Sequence, residues 1–67
     1  MDYSTKIKEL REKLLISQLE LAKLINVSFA SVSRWENKRH EPTLRAKRAL
    51  KRLFLENEIE VGKDGHN

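Results

Sequence analysis

The sequence predicts an all-α fold, a compact bundle of four helices, and three observations carry that prediction. Apolar residues recur at helical spacing, as at Ile7, Leu10 and Leu14 or at Ala46, Ala49, Leu50 and Leu53, with charged residues between them. No run of alternating β-branched residues appears before the last few positions. Ser17, Ser28 and Thr43 each stand just before a periodic stretch, where a side-chain oxygen can accept from free backbone N–H groups.

The first helix is expected over about residues 4–14, where Lys6, Lys8, Glu9, Glu12 and Lys13 fill the faces left by Ile7, Leu10 and Leu14. Ser4 or Asp2 can cap it. Ser17 followed by Glu20 is the capping-box pattern, so a second helix starts there and runs through Leu21, Ala22, Leu24 and Ile25. It should stop at Asn26, because asparagine tolerates the left-handed backbone that ends a helix. Ser28 caps a third helix that carries Val32, Trp35 and Glu36 and ends around Asn37 or Lys38. A largely basic loop, 38–41, leads to Pro42, the only proline. Thr43 then caps a fourth helix whose apolar stripe ends at Phe54, with Arg45, Lys47, Arg48, Lys51 and Arg52 on the other faces. After Leu55 the chain turns acidic and ends in small polar residues. The expected division is therefore a helical domain at 1–55 and an acidic tail at 56–67, where order fades and Ile59 and Val61 form at most a short extended stretch.

Composition narrows the function. The 67 residues suffice for one small domain and are too few for a catalytic pocket between two layers, which favours a binding module. So small a chain buries only roughly 60% of its surface on folding, so a second copy would add welcome contact. With no cysteine, neither disulfides nor thiolate metal sites are available. No apolar run approaches the roughly 20 residues of a membrane span, and the N-terminus lacks a signal-peptide core, which predicts a cytoplasmic protein with no membrane association. Residues 1–55 hold 13 Lys/Arg against 6 Asp/Glu, a balance of +7, whereas 56–67 hold one Lys against 4 acids, a balance of −3. The basic character thus belongs to the folded part and suits a polyanion, since phosphate neutralisation and counterion release drive such binding. A merely solvated helical surface has similar composition, so the charge needs a motif beside it. No Ser-His-Asp set, no carboxylate pair in a cleft and no glycine-rich phosphate loop is present, so no catalytic residues and no cofactor are expected. His40 stands alone in a basic loop, without further ligands at a spacing that would hold a metal.

The motif lies in residues 17–37, SQLELAKLINVSFASVSRWEN. Two short helices joined by a tight turn pack steeply only when a few positions obey strict rules. Leu21, Ile25, Val27, Val32 and Trp35 fall where the two helices and the rest of the domain share a core. Ala22 is small where the helices approach. Asn26 occupies a turn position that demands positive φ, and it is the least costly substitute for glycine there. With Gln18 opening the second helix, the Leu21-Ala22 pair, and Arg34 to Asn37 reading RWEN, the segment resembles the helix-turn-helix of the Xre/Cro, lambda-repressor-like family. The likeness covers roughly residues 5–55, with Arg11, Ser17, Pro42 and Thr43 at the family's usual separations. Leu15, Asn26 and Lys38 each stand where members commonly carry glycine. The usual glycine-containing break into a fifth helix is missing, so the C-terminal part is expected as one longer helix or a different dimer surface, and the bundle has four helices, or five if the family's last helix forms all the same.

The resemblance implies double-stranded DNA as partner, with the third helix entering the major groove and the start of the second helix and flanking loops holding phosphates. Phe29, Ala30, Ser33 and Arg34 match positions that face the groove. Arg34 is the leading candidate for direct readout, because its planar fork can donate two hydrogen bonds to guanine O6 and N7. Phe29 and Ala30 can pack only on a thymine methyl, and Phe29 has the alternative of a core place under the second helix. Gln18 suits a phosphate oxygen. Ser28 and Ser31 cap the third helix, donate to phosphate, or do both. Lys38 and Arg39 lie where the DNA backbone should pass. Arg11 and Glu36 match the family's buried pair linking the first helix to the end of the third, and Trp35 reads as packing.

One recognition helix covers too few base pairs to be selective, so the expected function is a transcriptional regulator, a repressor, binding DNA as a homodimer. The alternative is an antitoxin-type module that binds DNA and a partner protein. The tail offers little apolar area for such a partner.

Overall fold

The computed structural model describes residues 2–61, and these form four helices: α1 (Tyr3–Leu14), α2 (Gln18–Leu24), α3 (Phe29–Glu36) and α4 (Leu44–Glu56). Of the two caps open for α1, Asp2 takes the role. Its carboxylate accepts from the Thr5 hydroxyl at 2.8 Å and from the Ser4 hydroxyl at 3.1 Å. The Thr5 and Ser4 hydrogen bonds hold its pKa below the ordinary aspartate value. The other three caps are the expected ones. Ser17 and Glu20 close a reciprocal box, Ser17 N–H to Glu20 Oε1 at 2.8 Å and Glu20 N–H to Ser17 Oγ at 3.0 Å. Ser28 Oγ accepts from Ser31 N–H at 3.1 Å, and Thr43 Oγ1 from Ala46 N–H at 3.2 Å.

α2 packs on α3, α3 on α1, and α1 on α4. One core results, built from Ile7 and Leu10 of α1, Leu21 and Ala22 of α2, Val32 and Trp35 of α3, and Ala46, Leu50 and Phe54 of α4. Ile25, Val27 and Leu53 pack against it half-buried. Ile59 is buried too, so the packing of 1–55 continues into the first residues of the acidic segment. No strand is present among the described residues, and Ile59 and Val61 lie in irregular backbone. The fading of order expected from Glu56 onward is not seen at 56–61, where Glu56 ends α4 and Ile59 is buried, and the rest of that expectation falls on residues 62–67, which lie outside the described residues.

All four helices end in the same way. Leu15, Asn26, Lys38 and Glu58 sit in the left-handed region at φ 58°, 60°, 61° and 59°. Each donates its N–H to the carbonyl three residues back, and the following residue donates to the carbonyl five back. The second of these bonds runs from Ile16 to Arg11 at 3.0 Å, Val27 to Ala22 at 2.9 Å, Arg39 to Arg34 at 2.8 Å and Ile59 to Phe54 at 2.8 Å. This paired arrangement satisfies carbonyls that a helix end leaves free, and it calls for an apolar residue after the left-handed one. Ile16, Val27 and Ile59 meet that call by packing on the core, whereas Arg39 is exposed. Three of the four left-handed positions are those where the resemblance places glycine.

A left-handed leucine costs about 1–2 kcal/mol relative to glycine, against which glycine's greater freedom in the unfolded chain costs about 0.5–1. Leu15 is 88% exposed, so its side chain offers almost no burial in return. Leu15→Gly is therefore expected to stabilise the domain by roughly 0.5–1 kcal/mol. The check is a urea midpoint that rises with unchanged slope.

Candidate nucleic-acid interface

The geometry of the interface begins with the turn between α2 and α3. Asn26 in the left-handed region reverses the chain, Val27 folds back onto the carbonyl of Ala22, and the fully buried Leu21, Ala22 and Val32 let the two helices approach. Ala22 has no side chain beyond Cβ to hold them apart.

α3 then presents two opposite faces. Val32, Trp35 and Glu36 point into the domain and are buried. Phe29, Ala30, Ser33, Arg34 and Asn37, at helical spacing on the other side, form an outward face on which only Ser33 is half-buried. Phe29 is 51% exposed, which removes it from the core place open to it on sequence grounds. The Arg34 guanidinium makes no hydrogen bond or ion pair among the described residues and is free to meet a partner. Asn37, which sequence reasoning did not place in the site, extends this face by one turn. Its amide donates to the Ser33 carbonyl at 2.9 Å and approaches the Ser33 hydroxyl at 3.4 Å. The signal was its spacing of four residues from Ser33.

Not every expected contact residue faces outward in the same way. The Ser28 and Ser31 hydroxyls are 3.0 Å apart and share a hydrogen bond at the start of α3. Lys38 and Arg39 follow the outward face directly and are exposed, their backbone fixed by the termination of α3. Gln18, the first residue of α2, is half-buried, and its Nε2 donates to Glu36 Oε1 at 2.9 Å. The rest of that carboxylate belongs to Arg11, whose Nε donates to Oε2 at 2.6 Å and whose Nη2 donates to Oε1 at 2.9 Å. Arg11 Nη1 also donates to the Ile16 carbonyl at 3.3 Å. The Glu36 side chain is 3% exposed and that of Arg11 23%, so the pair is buried on the carboxylate side and part-buried on the guanidinium side. Burial pushes the Glu36 pKa up, but hydrogen bonds from Arg11 and Gln18 and the Arg11 charge outweigh it, so the carboxyl titrates below the ordinary range.

Electrostatics reinforce the outward face. Arg34, Lys38 and Arg39 are exposed on and beside it with no acid among them; elsewhere on the surface, Arg45, Arg48, Lys51 and Arg52 of α4 are exposed as well. Lys47 is otherwise engaged, 3.2 Å from Glu41 and over the Tyr3 ring at 5.3 Å from its centre.

A helix-turn-helix family model matches residues 7–51, which takes in most of α1, all of α2 and α3, and more than half of α4. The chain belongs to the Xre/lambda-repressor-like helix-turn-helix family. The search of curated proteins found no match, and neither did the search of solved structures. Within this helix-turn-helix, α2 is the supporting helix and α3 the second helix of the motif. The domain is a DNA-binding one, of a family that is not typically enzymatic. Among the described residues no helix is long and apolar enough to cross a membrane.

Proposed function

We propose that this helix-turn-helix protein is a sequence-specific transcriptional regulator of the cytoplasm, a repressor that occupies its site as a homodimer with α3 in the major groove. The observation that supports this most is the outward face of α3, where Phe29, Ala30, Ser33 and Arg34 stand opposite the buried Val32, Trp35 and Glu36. Arg34 reads a guanine through its fork, Phe29 and Ala30 pack on thymine methyls, and Ser33 donates to or accepts from a base edge. Gln18, Lys38 and Arg39 hold phosphates, and Ser28 and Ser31 fix the start of α3 against the backbone. Exposed Leu44 and Leu55 on α4 provide apolar area for a second copy, which one recognition helix needs for selectivity.

Selection of bound duplexes from random DNA is expected to enrich a two-fold symmetric motif whose half-site centres lie about one helical turn apart. No enriched motif, with binding insensitive to salt, would refute the proposal. Outward-facing Leu19 and Leu24 on α2 favour a second reading, an antitoxin-type module holding a protein partner on that helix. A stoichiometric complex with a second polypeptide, lost on Leu24→Ser, is the result that reading requires.

A further inference from the structure

We infer that Glu36 is a positioning residue of the DNA interface, acting through the side chain of Gln18. The inference rests on the proposed contact between Gln18 and DNA and adds what holds that side chain in place.

Glu36 Oε1 accepts two hydrogen bonds at once, from Arg11 Nη2 and from Gln18 Nε2, both at 2.9 Å. The same carboxylate is pinned from its other oxygen by Arg11 Nε at 2.6 Å. Arg11 in turn reaches the Ile16 carbonyl, just before the Ser17 cap of α2. One buried carboxylate therefore joins the last turn of α1, the α1–α2 turn, the first residue of α2 and the last residue of α3. Gln18 is half-buried and carries unused polar atoms. One amide hydrogen is committed to Glu36, which leaves its second N–H and its carbonyl oxygen available.

An unrestrained glutamine would lose side-chain rotational freedom on gripping a phosphate, at a cost in affinity. Held by Glu36, Gln18 has lost that freedom already. The restraint thus comes from the far end of α3, and it also fixes the spacing between Gln18 and the outward face that ends at Asn37.

A purely structural ion pair makes a different prediction about binding, and a double-mutant cycle separates the two. The first variant is Gln18→Ala. The second is Arg11→Met with Glu36→Met, which removes both charges together and so avoids stranding either one. The third combines all three changes. Each is confirmed folded by circular dichroism and urea denaturation, then titrated against a labelled random-sequence duplex at low salt.

Gln18→Ala in the wild-type background is expected to weaken binding roughly two- to tenfold, about one hydrogen bond's worth. The charge-free pair should lose about the same factor, and adding Gln18→Ala to it should change little further. Equal losses from Gln18→Ala in both backgrounds would overturn the positioning role while leaving the DNA reading intact. Unchanged affinity of Gln18→Ala would overturn it as well, by removing Gln18 from the interface. A wild-type chain that binds no DNA refutes the functional reading itself, and this inference with it. Should the double methionine variant not fold, Glu36→Ala takes its place in the same cycle, since it leaves Gln18 without its acceptor while the part-exposed Arg11 can still reach water.

Discussion

Arg11→Ala is expected to destabilise the domain by about 3–5 kcal/mol, because it leaves the Glu36 carboxylate buried with only Gln18 to solvate it. Native stability runs at roughly 0.05–0.15 kcal/mol per residue, so a chain of this size has only about 3–10 kcal/mol in total and the variant should lie near its unfolding midpoint at 25 °C. The reverse deletion, Glu36→Ala, should cost less. It strands the Arg11 guanidinium, which at 23% exposed can still reach water. Urea denaturation of both variants checks the order, and a negligible shift for Arg11→Ala would show that water solvates the carboxylate after all.

The same pair sets a pH dependence. In the wild type the folded Glu36 pKa is lower than its unfolded value, so the folded state holds its proton less tightly. The resulting stability is fully present above the ordinary glutamate range and is lost as pH falls through the lowered folded value. In Arg11→Ala, burial acts with no guanidinium to oppose it, so the folded pKa should rise instead. Stability then improves relative to the wild type on acidification as the stranded carboxylate takes up a proton. The gap between the two proteins is therefore expected to be widest near neutral pH and to narrow in acid, which midpoints measured at several pH values will show.

Much of this architecture is local, and what is local was legible in the sequence. A cap depends on one oxygen and the N–H two or three residues on, so Ser17, Ser28 and Thr43 reveal α2, α3 and α4 directly. Asp2 and Ser4 were equally plausible caps for α1, and only the fold, which buries Ser4, decides for Asp2. The left-handed Asn26 was readable from its own chemistry, and Leu15 and Lys38 through the resemblance. Glu58 was not, since no feature of glutamate suggests positive φ. What fixes it is the burial of Ile59, which needs the chain to turn back after Phe54. Non-local bonds were the least visible. The bond between Gln18 and Glu36 spans 18 residues, and a half-buried glutamine at a helix start looks in sequence like any solvated one. The outward face of α3 was read through the resemblance, which gave Phe29, Ala30, Ser33 and Arg34; helical spacing from the buried Val32 and Trp35 accounts for that face and adds Asn37.

Arg34→Ala is the second large effect, and it bears on specificity. Arg34 is exposed on the outward face of α3 with no partner among the described residues, so its removal should leave the core intact. Its place in the last turn gives it a favourable interaction with the helix dipole of about 0.3–1 kcal/mol, which bounds the loss of stability. The loss in binding should be greater, about 1–3 kcal/mol at a single base pair, with preference relaxed there and retained elsewhere. The neighbouring cations Lys38 and Arg39 make the control. Alanine at either should weaken binding to all sequences alike and reduce the salt slope by about 0.9, the signature of one lost phosphate contact. Arg34→Lys sharpens the contrast, because lysine keeps the charge but lacks the planar fork. A phosphate contact would survive that exchange, and a bidentate contact to guanine would not. Loss of preference at one position in both Arg34 variants, with the salt slope nearly unchanged, is the expected result. A uniform loss rescued by lysine would move Arg34 from base readout to the backbone and leave specificity to Phe29, Ala30 and the shape of the DNA.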